Sequence, residues 1–143
     1  MGIAKLAHYS VRTPDLAASE RFYTQVLGLR SGFRPPFDFP GIWLYHGDDE
    51  RELGVVHIIG VDPDDPGGLA DYLGERGGAL VGGGAVDHIA FLAVGWPDLR
   101  QRLATLATPF RERTVPSLGL HQVFLEDPSG VTIELNYPLG EGA

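Results

Sequence analysis

Two segments of this chain carry nearly the same pattern. Leu6-Ala7-His8-Tyr9-Ser10-Val11 and Val86-Asp87-His88-Ile89-Ala90-Phe91 are both short and β-prone, each with histidine third. Each is followed by one tripeptide, Pro14-Asp15-Leu16 in the first half and Pro97-Asp98-Leu99 in the second. An internal repeat constrains the fold more than local propensity does, because each copy has to form the same supersecondary unit.

The rest of each half follows suit. Proline beside an acid marks a helix start, with Thr13 the expected N-cap of the first helix and Trp96 a poor one for the second. Leu16, Phe22, Tyr23, Val26 and Leu27 share one helical face, and Gly28 is a natural stop. Leu99, Leu103, Leu106 and Ala107 make the second stripe. Strands are expected near Leu29–Phe33, Ile42–Tyr45 and Leu53–Ile59, and again near Phe110–Thr114, Leu120–Leu125 and Val131–Asn136. Asp127-Pro128-Ser129-Gly130 has the proline and glycine positions of a type I turn. The order is β-α-β-β-β, twice. The expected architecture is α+β: two βαβββ modules forming a curled mixed sheet around a central cleft. The first module spans 1–60, a Gly/Pro/Asp-rich linker 61–84 with a helical turn near Leu69–Glu75, the second module 85–138, and a frayed tail 139–143, all within one structural domain.

Four polar residues fall in these strand-like segments: His8, His57, His88 and Glu134. His57 follows His8 by 49 positions and Glu134 follows His88 by 46, so each half offers one ligand-type residue near its start and one near its end. Alternation along a strand puts Thr132, Glu134 and Asn136 on one face and Val131, Ile133 and Leu135 on the other. His57 lies in an apolar run, where an imidazole is costly without a partner. Two imidazoles and a carboxylate suit Fe, Mn, Ni, Co or Zn as a divalent ion and leave positions open for substrate. His57 is either a fourth ligand or a base beside the ion, since imidazole titrates near neutrality.

Composition narrows the function classes. The 143 residues hold 19 acids against 11 Lys and Arg, a formal charge of −8, which argues against a nucleic-acid partner. There is no cysteine, so disulfides and thiolate metal sites are excluded, and a cytoplasmic location is expected. No run is long and apolar enough for a membrane span, and the first residues do not read as a signal peptide.

His8 with Asp15-Leu16, Phe22-Tyr23 and Val26-Leu27-Gly28-Leu29 resembles the opening of the vicinal oxygen chelate superfamily. So do Asp87-His88-Ile89-Ala90-Phe91 and the closing run from Phe124 to Leu135. That group includes glyoxalase I, methylmalonyl-CoA epimerase, fosfomycin-resistance enzymes, bleomycin-binding proteins and extradiol dioxygenases. The resemblance covers roughly positions 5 to 137. It implies paired βαβββ modules curled around a metal, often in a homodimer, with metal positions on His8, His88 and Glu134 and a fourth on His57. Glyoxalases carry Glu at that fourth position and the epimerase Gln, so histidine is a departure. It could match the acid/base histidine of extradiol dioxygenases, but those enzymes place tyrosine where this chain has Phe124, and His121 fits their further histidine only loosely.

Other candidates surround the four. Phe37, Phe39 and Trp43, in and after an aromatic, proline-rich loop, would wall an apolar or aromatic substrate, or simply cover a sheet edge. Arg111 and Arg113 would clamp a substrate carboxylate, or form a solvated strand. Gln122 or His121 would orient the ligands, and Gln122 and Phe124 are further substrate candidates. The leading function is a metal-dependent enzyme that chelates two adjacent oxygens of a small substrate and moves a proton, as an isomerase or lyase with His57 or Glu134 as base. An extradiol-type Fe(II) dioxygenase acting on a catechol-like substrate and a metal-free antibiotic binder are the alternatives.

Overall fold

The computed structural model describes residues 2–51, 54–62, 64, 67–73 and 80–140. The chain divides into two units, Met1–Leu80 and Val81–Ala143, and each holds one four-stranded mixed sheet.

In the first unit the elements are β1 (Tyr9–Thr13), α1 (Leu16–Arg21) running on through a π-helical stretch (Phe22–Val26), β2 (Arg30–Gly32), β3 (Gly41–Tyr45), β4 (Val56–Gly60) and α2 (Gly67–Leu73). The sheet order is β1-β4-β3-β2, with β1 parallel to β4 and the other pairs antiparallel. The parallel pair needs a crossover, which α1 supplies. Phe22, Tyr23 and Val26 of the helical stretch are buried with Val11, Leu44, Val56 and Ile58. They form the core beneath one face of the sheet.

Asp15, not Thr13, caps α1. Its carboxylate accepts from Ala18 N at 2.9 Å, while the Thr13 hydroxyl accepts from Asp15 N at 3.1 Å. The two residues share the work because the chain leaves β1 one turn earlier than the helix begins. β4 starts at Val56 rather than before it. Gly54 has φ +70°, a left-handed conformation that breaks a strand and suits glycine. Leu53 and Glu75 lie outside the described residues. The segment between the modules contains a docked element: Gly68 of α2 approaches Asp38 so closely that a Cβ there would overlap it, and Tyr72 packs on Phe39 with ring centres 5.1 Å apart.

The second unit runs β5 (Ile89–Leu92), α3 (Trp96–Thr105), β6 (Arg111–Val115), a 3-10 turn (Pro116–Leu118), β7 (Leu120–Glu126) and β8 (Thr132–Pro138). Its order, β5-β8-β7-β6, repeats that of the first unit. Gly95, at φ +79°, caps α3 without a side chain. Trp96 follows it, buried against Tyr137, His121 and Phe110 at ring distances of 5.7, 5.0 and 5.9 Å. Leu99 and Leu103 are buried, whereas Leu106 lies past the helix end and is exposed. In the β7–β8 turn the buried Asp127 carboxylate accepts from Ser129 N at 2.9 Å and Val131 N at 2.8 Å. This explains why Asp-Pro-Ser-Gly suits the site: the acid satisfies backbone donors that a tight buried turn would orphan. The expected βαβββ order is therefore found twice, as two separate four-stranded sheets.

Candidate functional site

The pairing register makes the two halves equivalent residue by residue. His57 lies opposite Ser10 on β1 and Trp43 on β3. Glu134 lies opposite Ala90 on β5 and Phe124 on β7. His8 and His88 each stand two positions before the β1 or β5 partner, just ahead of the strand rather than within it. Within each sheet, a ligand-type residue on the last strand thus shares a face with one at the entrance to the first strand.

In the second unit that pair meets. His88 Nε2 lies 3.2 Å from Glu134 Oε2. Each partner is held from behind. His88 Nδ1 is 2.7 Å from Asp87 Oδ2, so the Nδ1 proton is donated to Asp87 and Nε2 is the ring atom turned toward Glu134, as a proton donor or, with an ion between them, as a ligand. Glu134 Oε1 accepts from Gln122 Nε2 at 2.9 Å and Asn136 Nδ2 at 2.8 Å, and Gln122 also donates to Asn136 Oδ1 at 2.9 Å. Glu134 is buried while the His88 side chain is 38% exposed. The Asp87 hydrogen bond raises the His88 pKa above its ordinary value; desolvation opposes this, and the Glu134 and Asp87 charges add to it.

These atoms fit a divalent ion. Metal–nitrogen and metal–oxygen bonds of ~2.1 Å put neighbouring ligand atoms roughly 3.0–3.4 Å apart in octahedral or tetrahedral geometry, and the His88–Glu134 separation falls in that interval. A carboxylate behind the histidine and amides behind the carboxylate are the usual supports of metal ligands. The pair would supply two ligand positions to such an ion. Within neither unit do three or more His, Asp or Glu side chains converge to hold an ion, among the described residues.

In the first unit the equivalent pair is arranged differently. His57 is buried between two rings, with Trp43 at 3.9 Å and 5° on one side and His8 at 3.8 Å and 17° on the other. The stack answers the cost of an imidazole in an apolar strand, because both faces are covered by aromatic surface and the nitrogens stay at the edge. A Cβ on Gly54 would lie 3.5 Å from His57 Nε2, so the glycine keeps that edge open. A ligand bond runs in the plane of an imidazole. With the His8 and His57 planes nearly parallel, no single point lies at bonding distance in both.

The stack continues into the loop. Trp43 meets Phe37 at 6.2 Å, Phe37 stacks on Phe39 at 5.4 Å and 10°, and Phe39 meets Tyr72. These rings line a cleft of about 500 Å³ in the first unit, together with Lys5, Arg34 and Arg51. Phe37, Phe39 and Trp43 therefore line a cavity. Tyr72 and Arg34 were not singled out in the sequence. Tyr72 sits in what reads as a linker, and a loop arginine carries no periodic signal. Asp87 was missed too, although its place beside a candidate ligand was the available clue.

The remaining candidates divide. Gln122 donates to Glu134. His121 points to the other face, against Trp96. Arg111 lies 5.1 Å over the Phe124 ring, and both line a smaller hollow of about 260 Å³. Arg113 is exposed.

Solved structures share this fold. Lactoylglutathione lyase from Agrobacterium tumefaciens is 20% identical with a TM-score of 0.62, covering 96% of each chain. A glyoxylase/bleomycin resistance protein/dioxygenase domain from Frankia sp. is 20% identical at 0.65, covering 99% of this chain and 96% of that one. A mutant of FosX, a fosfomycin resistance protein of Listeria monocytogenes, complexed with Mn(II) and 1S,2S-dihydroxypropylphosphonic acid, is 14% identical at 0.66, covering 98% and 96%. At these identities the likeness speaks for the fold alone. No curated protein sequence matches the chain. The model of the Glyoxalase/Bleomycin resistance protein/Dioxygenase superfamily matches residues 5–135, nearly the whole chain, and the protein belongs to that superfamily.

Proposed function

We propose that the protein is a divalent-metal-dependent enzyme of this superfamily, of the isomerase or lyase type, acting on a small substrate with two adjacent oxygens. The observation that carries this reading is the His88 Nε2–Glu134 Oε2 pair at 3.2 Å, with its outer atoms fixed by Asp87, Gln122 and Asn136. His8, the repeat equivalent of His88, is proposed to complete the ligand set. An ion held by these residues would supply Lewis-acid stabilisation of negative charge on the two adjacent oxygens. The Mn(II) in the FosX complex supports a metal of this kind.

The chain's own residues do the rest. Asp87 accepts the Nδ1 proton of His88, orienting the ring so that Nε2 is the atom an ion would take in place of its proton. Gln122 and Asn136 hold one Glu134 oxygen so that the other is presented. His57 is the proposed base, with its ring fixed between Trp43 and His8 and its Nε2 edge near Gly54. The parallel stack supports this role over that of a ligand beside His8. A homodimer is proposed on the exposed apolar residues Leu92 and Val94, on and just after the edge strand β5, since such edges call for cover. Light scattering at two concentrations reads the mass directly.

Metal analysis of protein purified without chelator tests the reading. One ion per chain is expected, lost in His88→Ala. Protein without metal, whose melting temperature is unmoved by Mn(II), Ni(II), Fe(II) or Zn(II), would instead make it a binder, which the aromatic cleft of the first unit would equally suit.

A further inference from the structure

Arg34 is unusual among the basic residues of the first unit. Its guanidinium lies 5.0 Å over Phe37 and 5.2 Å over Phe39, whose rings are 5.4 Å apart, so it straddles the seam of the stacked pair. One N–H bonds Phe39 O at 2.8 Å. No carboxylate among the described residues pairs with Arg34, and no second acceptor takes its remaining donors. A guanidinium carries five N–H groups and no proton it can shed near neutrality. Here burial lowers its pKa, the sign of a charge that has lost water without gaining a counter-ion. By contrast Arg51, on the same cleft, is held by the Asp49 carboxylate at 2.6 and 2.9 Å.

The surroundings are built to keep it there. A Cβ on Gly41 would come within 3.0 Å of the Arg34 Nε and Nη2 atoms, and closer still to the Ile58 carbonyl oxygen. A side chain at 41 would crowd the guanidinium. The described lining includes Lys5, His8, Arg51 and His57 but no aspartate or glutamate, so its described charged groups favour an anion. Its aromatic walls offer flat surface, and its volume of about 500 Å³ suits a small organic ligand.

We infer that this cleft binds a planar aromatic carboxylate, with the ring against Phe37, Phe39 and Trp43 and the carboxylate on Arg34. The guanidinium fork matches a carboxylate in two parallel hydrogen bonds. As the substrate class of the enzyme proposed above, this assignment rests on that reading; as a binding site it is tested without it.

The test uses full-length protein stripped with EDTA and isothermal titration with 2-naphthoate and its neutral isostere 2-naphthamide. Naphthoate is expected to bind roughly tenfold or more tightly than the amide, the factor of a charge-assisted hydrogen bond. Arg34→Gln should bring the two affinities together by weakening naphthoate alone. Arg34→Lys should keep part of the preference, and it carries the readout should Arg34→Gln fail to fold. Benzoate should bind more tightly than cyclohexanecarboxylate. Equal binding of acid and amide, binding of neither, or a preference untouched by Arg34→Gln overturns the inference. With no metal in the assay, its failure leaves the metal reading standing, and a protein that never holds metal yet prefers naphthoate leaves this one standing.

Discussion

The two units share a strand order and a register but treat equivalent positions in opposite ways. Glu134 of the second unit is buried in a closed ring of hydrogen bonds with Gln122 and Asn136. His57 of the first unit is buried in a stack of aromatic rings. Phe124 and Trp43 are register equivalents, yet only Trp43 stacks on the residue across from it. Gly32 and Arg111 are equivalent as well: a Cβ at Gly32 would meet the Tyr45 ring at 2.7 Å, whereas Arg111 has room to lie over Phe124. One backbone thus yields a polar half that fixes two donor atoms and an apolar half that forms a cleft. A carboxylate can be buried only with donors around it, whereas an imidazole tolerates flat apolar neighbours.

The comparison breaks most decisively through the donor pair. His88→Ala removes one of the two donor atoms that the second unit brings together among the described residues, and Glu134→Gln takes the charge from the other. Each is expected to lower metal affinity by about 100-fold or more, beyond the effect of losing a supporting residue, with ligand binding in the first unit's cleft unchanged. Mass spectrometry of metal content, with titration of the stripped protein, reads the first part and naphthoate titration the second. If His88→Ala holds metal as wild type does, the polar half is a structural network and nothing more.

Next in size is Trp43→Ala. It removes one face of the His57 stack and one wall of the cleft. Large aromatic truncations cost about 3–5 kcal/mol in a full core; Trp43 is only partly buried, so about 2 kcal/mol is expected from urea unfolding. Phe124→Ala, its equivalent, should cost less, since its ring meets His88 edge-on at 6.5 Å without a stack. Equal losses would show that the stack contributes no more than ordinary packing.

Much of this was legible beforehand because it rests on periodicity. The repeated His with Pro-Asp-Leu gave the two modules, and alternation around Glu134 put Thr132 and Asn136 on its face, where Asn136 does bond it. What periodicity does not encode was missed. Tyr72 reaches the cleft only because Gly68 lets α2 dock on the loop at Asp38, a tertiary contact between segments with no shared pattern. The helix cap moved from Thr13 to Asp15 because both are capping residues and spacing alone does not choose between them. His121 and Gln122 are neighbours with opposite facings, so a register one residue off exchanges the core residue for the ligand-orienting one.

Asp87→Asn sharpens the contrast at smaller scale. The second unit's histidine has a carboxylate behind it, whereas His8 has a ring against its face. Losing the Asp87 charge should weaken metal binding by roughly tenfold, the low end of what such supporting residues supply, because Nδ1 is no longer pinned and Nε2 becomes a poorer donor.

The smallest expected effect is on pH dependence, and it has a definite sign. In the metal-free protein the His88 pKa is raised, chiefly by its hydrogen bond to Asp87. A histidine whose folded pKa exceeds its unfolded value stabilises the fold fully below the unfolded pKa, near 6.5, and loses that contribution as pH rises through the folded pKa. The ring is over a third exposed, so solvent screening keeps the effect small. Metal binding runs the other way, because the ion and the proton compete for Nε2: affinity should rise with pH across the same window. NMR titration of the His88 ring in EDTA, compared with Asp87→Asn, separates the two. In the variant the midpoint should fall toward the ordinary value while the His8 and His57 resonances stay where they are. A His88 midpoint that does not move would mean that the 2.7 Å Asp87 contact does not hold the proton in solution.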